Sequence, residues 1–337
     1  MANNNSGKAK KPSLASKLFL KLDLSKDERL TRTPIETGRI SHFFSTFKKN
    51  YSELMLANLL FMLFALPAVL VIFWLTPNII NSLNGALDFN GDMGIGFGGK
   101  YDTIQGMVNI YSSYETMLLI LIPCFSLAGL GMAGLFYVSR NLLWGAPVKI
   151  RVHFFRGIKK RWAEYLLSFT YLGGVVCMMG CSVLEYLKAD ALGTTHWGHW
   201  VFMIVSAIVF LLSIMYLIIS LPMMMSFRYK FASNIKNSVL LTITMFPIIL
   251  ILIIVLSLPM LFMMNSFLRI IFYVAVAMIG FSFYVLAVSA LGHNVYDSTI
   301  IPLFEHEQQL KEKEERRERA RQNRAQGSAK KRKRKKK

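Results

Sequence analysis

The sequence predicts an all-α integral membrane protein: six transmembrane helices forming three repeated hairpins, each preceded by an interfacial amphipathic elbow helix, with a cytoplasmic helical tail. Three observations carry that reading. The 337 residues are 54% apolar and only 17% charged, with mean hydropathy +0.42, where soluble domains run at about 45–50% and about 25%. Six runs of about 20 or more residues contain no charged side chain, which is the length a helix needs to cross a bilayer. Short basic, aromatic segments that resemble one another precede the odd-numbered runs. This composition excludes a disordered chain, a disulfide scaffold and an ordinary soluble enzyme.

Residues 1–42 read as a cytoplasmic N-terminal segment. Within it Leu14, Leu18, Phe19 and Leu22 sit at helical spacing, while Leu18, Leu20, Leu22 and Leu24 alternate at strand spacing, so the period is ambiguous. The membrane domain spans 43–292, with spans at 54–75, 116–138, 165–184, 201–227, 239–267 and 270–291. More than fifty polar and basic residues precede the first run, which excludes a signal peptide. The second span carries Gly129, Gly131 and Gly134 with Ala128 and Ala133; small residues let backbones approach, so this span is expected at the centre of the bundle. The fifth contains Pro247 and Pro259 and is expected to be kinked. Its join to the sixth is short, which predicts an antiparallel hairpin.

Orientation follows from the basic residues between spans. The N-terminal stretch, the 139–164 and 228–238 loops and the tail hold 36 of the 39 Lys and Arg. The opposite loops hold Lys100, Lys188 and Arg269. Positive charge stays inside, so both termini are expected in the cytoplasm.

The segment "FFSTFKKNYSE" (43–53) matches "FFRGIKKRWAE" (154–164), and "FASNIKNS" (231–238) is a degenerate third copy. Each would be a short helix with aromatic side chains at the acyl boundary and lysines toward anionic headgroups, at about 1 kcal/mol per basic residue near the surface. The candidate interface or partner-docking residues are therefore Phe43, Phe44, Phe47, Lys48, Lys49, Phe154, Phe155, Lys159, Lys160 and Trp162. Beyond the spans, 293–326 pairs opposed charges four apart (Glu307 with Lys311, Glu312 with Arg316, Glu315 with Arg319), which supports a solvated helix. The end, 327–337, is a disordered polybasic tail whose Lys330, Lys331, Arg332, Lys333, Arg334, Lys335, Lys336 and Lys337 form a candidate polyanion site for anionic lipid, RNA or the ribosome.

Other candidate chemistry is weaker. Cys124, Cys177 and Cys181 lie inside apolar runs and give neither a disulfide framework nor a zinc site. The Gly-rich stretch "DFNGDMGIGFGGKYD" lacks the spacing of an EF-hand loop. His196 and His199 stand beside Trp197 and Trp200 and read as an aromatic interface belt rather than a metal site. Asn58 and scattered Ser and Thr side chains are expected to hydrogen-bond between spans. No span contains a carboxylate, lysine or arginine, which argues against an ion-coupled transporter. Phosphate-loop, HExxH, GxSxG and kinase signatures are missing. A non-enzyme with no cofactor and no metal is expected.

A basic aromatic elbow leading into "LANLLFMLFALP" (56–67), a Gly/Ala-rich span ending "AGLFYVSRNLL" (133–143), then "VHFFRGIKKRWAE" (152–164) and "NIKNSVLL" (234–241), together resemble the YesL-like family of bacterial membrane proteins, a domain of unknown function. The resemblance covers roughly residues 30–300. The long Gly-rich loop and the Lys/Arg tail depart from it. It implies a bacterial plasma membrane location and an accessory or regulatory role beside a carbohydrate ABC transport system, and it supplies no catalytic residue. Two other readings stand beside it: a ribosome-associated or membrane-insertion factor using the polybasic tail, and a transporter or channel in its own right.

Overall fold

The computed structural model describes residues 39–76, 104–226 and 231–292, all within one compact unit, Asp23–Gly292. The N-terminal segment up to residue 38, the Gly-rich loop, the charged helix and the polybasic tail lie outside the described residues. Within them the protein is helical and contains no strand. Six helices are long and apolar enough to cross a membrane: Tyr51–Leu75, Gly106–Leu143, Ile150–Ala191, Trp197–Ser226, Phe246–Met264 and Ser266–Gly292.

The first short helix, α1 (Arg39–Lys49), ends at Asn50, whose φ of −116° and ψ of 32° leave the helical region. The Asn50 side chain donates to the Thr46 carbonyl at 2.9 Å and so holds the break. Next comes α2 (Tyr51–Leu70), ending in a π-helical turn at Val71–Leu75. Two long helices follow, α3 (Ile104–Leu143) and α4 (Ile150–Ala191), of 40 and 42 residues. At 1.5 Å per residue each is about 60 Å long, twice the hydrocarbon thickness, so both extend well past the apolar runs at either end. Both end in the same manner: Gly145 (φ 68°) and Gly193 (φ 66°) take the left-handed conformation that favours glycine, and the next N–H reaches back five residues, Ala146 to Asn141 and Thr194 to Ala189. Inside α4, Arg161 (φ −142°, ψ 27°) breaks the helix into 150–160 and the spanning part.

The remaining elements are α5 (Trp197–Ser226), α6 (Phe231–Thr244), α7 (Phe246–Ser257) with a 3-10 extension at Leu258–Met264, and α8 (Ser266–Ala275), which continues through a π-helical turn at Val276–Gly280 into segment 281–292. The fifth apolar run is thus divided differently from the sequence reading. The helix breaks at Met245 (φ −106°, ψ 15°), and the span begins at Phe246 rather than at 239. Pro247 sits in the first turn of α7, where its missing N–H costs nothing, and Pro259 opens the 3-10 segment. The run is thus interrupted beside both prolines, by the break at Met245 and by the change to 3-10 helix at Leu258. The short join is a turn in which Asn265 Oδ1 accepts from the N–H groups of Phe267 and Leu268, at 3.0 and 3.3 Å, and caps α8.

Packing runs in chain order and then returns on itself. Helix α3 packs on α2, α4 and α5, α4 on α5, α5 on α6 and α7, and the π-turn of α8 packs back against α2. Glycines set the close approaches. A Cβ at Gly129 would lie 2.7 Å from Phe169 Cβ, one at Gly131 2.9 Å from Phe64 Cβ, and one at Gly134 2.8 Å from the Phe154 ring. The three small positions of α3 therefore face α4, α2 and the leading segment of α4 in turn. Hydroxyl pairs tie the spans further: the buried Ser182 and Ser206 at 2.6 Å, and the partly buried Tyr171 and Ser213 at 2.6 Å and Ser126 and Thr170 at 2.7 Å.

Candidate functional site

One end of the bundle holds a buried, arginine-centred polar knot with an exposed basic and aromatic surface beside it. Helix α3 runs past Val138 to Leu143, so Arg140 is part of the packed bundle and only 4% exposed. The apolar run 116–138 itself carries no charge, but its helix is longer than the run and includes Arg140. Arg140 Nη1 donates to the Met225 carbonyl on α5 at 2.6 Å, and Nη2 and Nε reach Asn141 Oδ1 at 3.3 and 3.4 Å. The guanidinium carbon lies 4.7 Å from the Tyr137 ring centre and 4.8 Å from that of Trp144. Those rings stand three residues before and four after Arg140, on one helical face, where a cation can stack on them. That "YxxRxxxW" spacing was the signal in the sequence.

Neighbouring groups extend the knot. The Tyr165 hydroxyl, fully buried on α4, donates to the Leu221 carbonyl of α5 at 2.7 Å. Carbonyls four residues apart on α5 are thus held by a tyrosine of α4 and an arginine of α3. On α6, Asn234 Nδ2 donates to Ser220 Oγ at 2.9 Å. The His42 Nε2–H of α1 donates to the Leu143 carbonyl at 3.1 Å, which fastens α1 to the end of α3.

The candidate residues of the two elbow segments fall into two groups. Phe43 and Phe47 of α1 turn inward and stack edge-on against Phe283, at 5.6 and 5.4 Å between ring centres. Phe154 is fully buried against Gly134 and near Phe64 and belongs to the core. Lys160 is half-buried and lies over the Tyr137 ring at 5.8 Å. Facing outward are Phe44 at 57% and Phe155 at 49% exposure, Trp162 at 55%, and Lys48, Lys49 and Lys159. Arg151 and Arg156 add charge to the same surface. The polyanion candidates Lys330–Lys337 lie outside the described residues.

At the other end of α3 and α4, Lys188 pairs with Glu115 and, at 3.2 Å, with Glu185, joining the two long helices beyond their apolar runs. His196 and His199 meet edge-on at 4.0 Å between ring centres, while Trp200 packs on Tyr186 at 4.7 Å. Among the described residues no three His, Cys, Asp or Glu side chains gather as a metal site.

Fold and geometry define the class: an all-helical protein with six helices fit to cross a membrane and a polar knot at one end of the bundle. Comparison with protein-family models, curated proteins and solved structures yields no match.

Proposed function

We propose that the chain is a multi-pass plasma-membrane protein of bacterial type, with both termini cytoplasmic. In this reading it acts without catalysis as an accessory or regulatory partner of a carbohydrate ABC transport system. The partner contact is the basic aromatic face of α1 and residues 150–162, which borders anionic headgroups of the inner leaflet. The resemblance to the YesL-like family supports the transport assignment, and the charge asymmetry between loops supports the orientation.

The observation that carries the docking assignment is the agreement between the two elbow segments. Aligned as in the sequence, with 111 residues between copies, both break the helix at the same position, Asn50 and Arg161. Exposure agrees as well. Phe44 and Phe155 are open, as are Tyr51 and Trp162, whereas Leu54 and Tyr165 are both fully buried. The second and third elbows rest on the second helix of the preceding hairpin, 150–160 on α3 and α6 on α5, while α1 rests on segment 281–292 of the third hairpin and is bonded to the end of α3. This supports three repeated units of elbow and hairpin. The third copy departs by breaking at Met245, seven residues past the equivalent Ser238. An outward aromatic kept at the same place in two copies, where burial is not the reason for it, fits a contact with lipid or partner.

A photo-crosslinking residue at Phe155 tests the proposal in native cells. It is expected to capture transport subunits, while the same residue at Leu63, an exposed position in the middle of α2, captures none. Recovery of no transport subunit from Phe155 would overturn the assignment. The polybasic sequence favours the ribosome-tether reading as the alternative. In that case full-length protein co-sediments with ribosomes and a chain ending at Gly327 does not.

A further inference from the structure

The third hairpin differs from the other two in a way that points to movement. We infer that its turn-proximal half, residues 258–275, is a hinged flap that swings about a joint near the middle of the bilayer, with Asn58 as the catch. Two backbone irregularities form the joint. On one limb the α-helix gives way to a 3-10 helix at Leu258, seven residues from the turn residue Asn265. On the other the α-helix gives way to a π-helical turn at Val276, after the ten residues of α8 that follow the turn.

The two breaks lie at the same height. Seven residues of 3-10 helix rise about 14 Å, and ten residues of α-helix rise about 15 Å. Half of an apolar layer about 30 Å thick is the same distance. Runs of 3-10 helix longer than three or four residues are uncommon and mark hinges or strain, and π-turns concentrate at functional positions. Two unrelated breaks at one level across an antiparallel pair form a joint.

Packing changes at that level most clearly on the second limb; on α7 below the joint Ile249 is the one buried residue. Above it no residue of Leu258–Met264 or Ser266–Ala275 is buried. Below it Ser282, Val285, Leu286 and Ser289 are buried, Ile249 is fully buried, and the Tyr284 hydroxyl donates to the Leu256 carbonyl at 2.9 Å to tie the limbs together. The first two hairpins keep buried residues toward their own turns, among them Val71, Met117, Ser182 and Ser206. Segment Ser266–Ala275 has its extended packing on the other limb and on the π-turn, plus one edge-on contact of Tyr273 with Phe73 at 5.4 Å.

Asn58 sits at the joint. Its amide donates to the Val276 and Ala277 carbonyls at 3.1 and 2.7 Å, and its oxygen accepts from the Ser282 N–H at 2.9 Å. A widened turn displaces carbonyls from the helical ladder, and hydrocarbon offers them no water. The fully buried amide takes up both. The clamp pins the π-turn of the joint to α2 and leaves the flap beyond it as the part free to rotate, while Ser282 Oγ, which donates to the Leu54 carbonyl at 2.7 Å, holds the lower segment to α2 without Asn58. A rotation of about 20° at the joint carries a tip roughly 15 Å away through about 5 Å.

Pulsed electron–electron double resonance on the full chain in lipid nanodiscs tests the flap, with the three native cysteines replaced by alanine. Spin labels are placed at Leu167→Cys with Met264→Cys above the joint, and at Leu167→Cys with Ile251→Cys below it on the same limb. The upper pair is expected to give a broad or two-peaked distance distribution and the lower pair a narrow one. Asn58→Ala should broaden the upper pair further and leave the lower pair unchanged, and Pro259→Ala, which lets α7 continue, should narrow the upper pair. An upper distribution as narrow as the lower one in the otherwise unaltered chain overturns the inference, whether or not the Asn58 variant folds. Equal broadening of both pairs by Asn58→Ala overturns the role given to Asn58.

Discussion

Gly157 offers the sharpest test of how the second elbow is held. An alanine Cβ there would lie 2.5 Å from Tyr137 Cβ, 2.8 Å from the Ala133 carbonyl oxygen and 3.1 Å from Gly134 Cα. Two of those three atoms are backbone, so no side-chain rotation relieves the contact. Ordinary carbon–carbon contact is about 3.5–4.0 Å, so segment 150–160 must move about 1 Å off α3. Overpacking of this kind costs about 1–3 kcal/mol. Gly174 on the same helix is the control, because nothing lies within 4 Å of a Cβ there and Gly→Ala in an open helix gains about 0.5–1 kcal/mol. The two substitutions are chemically identical and should differ by roughly 1.5–4 kcal/mol, the sum of those two ranges, with opposite signs. Thermal melting in mild detergent, followed by near-ultraviolet circular dichroism, reads the difference. The expected order is Gly174→Ala at or above the unaltered chain, and Gly157→Ala below it. Equal melting of the two variants would refute the close docking of the elbow on α3.

Two further outcomes follow from the geometry. Arg140→Ala leaves the buried Met225 carbonyl without its donor, a loss of about 1–3 kcal/mol in the same melting assay; Arg140→Lys should recover only part of it, because an ammonium lacks the planar fork that spans Met225 and Asn141 while stacking on Tyr137 and Trp144. For topology, a membrane-impermeant thiol reagent should modify a cysteine introduced at the exposed Trp197 in intact cells and spare one at the exposed Lys159; the reverse labelling would place the elbows on the outside and remove the proposed cytoplasmic contact.

The number of spans was legible in the sequence because each apolar run is long, charge-free and bounded by polar residues. What the runs did not reveal is where helices end. Hydropathy falls at Val138, but the α3 backbone continues past it, with Arg140 stacked on the nearby Tyr137 and Trp144 rings and bonded to the Met225 carbonyl, a contact distant in sequence. The prolines of the fifth run did point to its interruptions: Pro247 and Pro259 each stand where a new helical segment starts, a position proline tolerates. The elbow periodicity separated aromatic from basic positions but could not say which aromatic faces the protein. Phe154 and Phe155 are adjacent and chemically equal; only the gap left by Gly134 on a neighbouring helix decides that the first is core and the second surface.

The same comparison explains why the knot and the elbows form one structure. A short helix that leads into a long one at an angle must change direction, and the change needs a residue outside the helical region. At Asn50 the side chain satisfies the Thr46 carbonyl, and at Arg161 an ion pair to Glu164 at 2.6 Å spans the break. A break alone would leave the elbow free to pivot. It is fixed because its far end is bonded to the bundle, through His42 to the Leu143 carbonyl in the first copy and through Phe154 and Gly157 on α3 in the second. Both anchors lie within the last three turns or so of α3, which also carries Arg140. The Asn58 amide in turn ties α2, which follows the first elbow, to the π-turn of the third hairpin. The outward Phe44 and Phe155 thus stand on segments seated on α3.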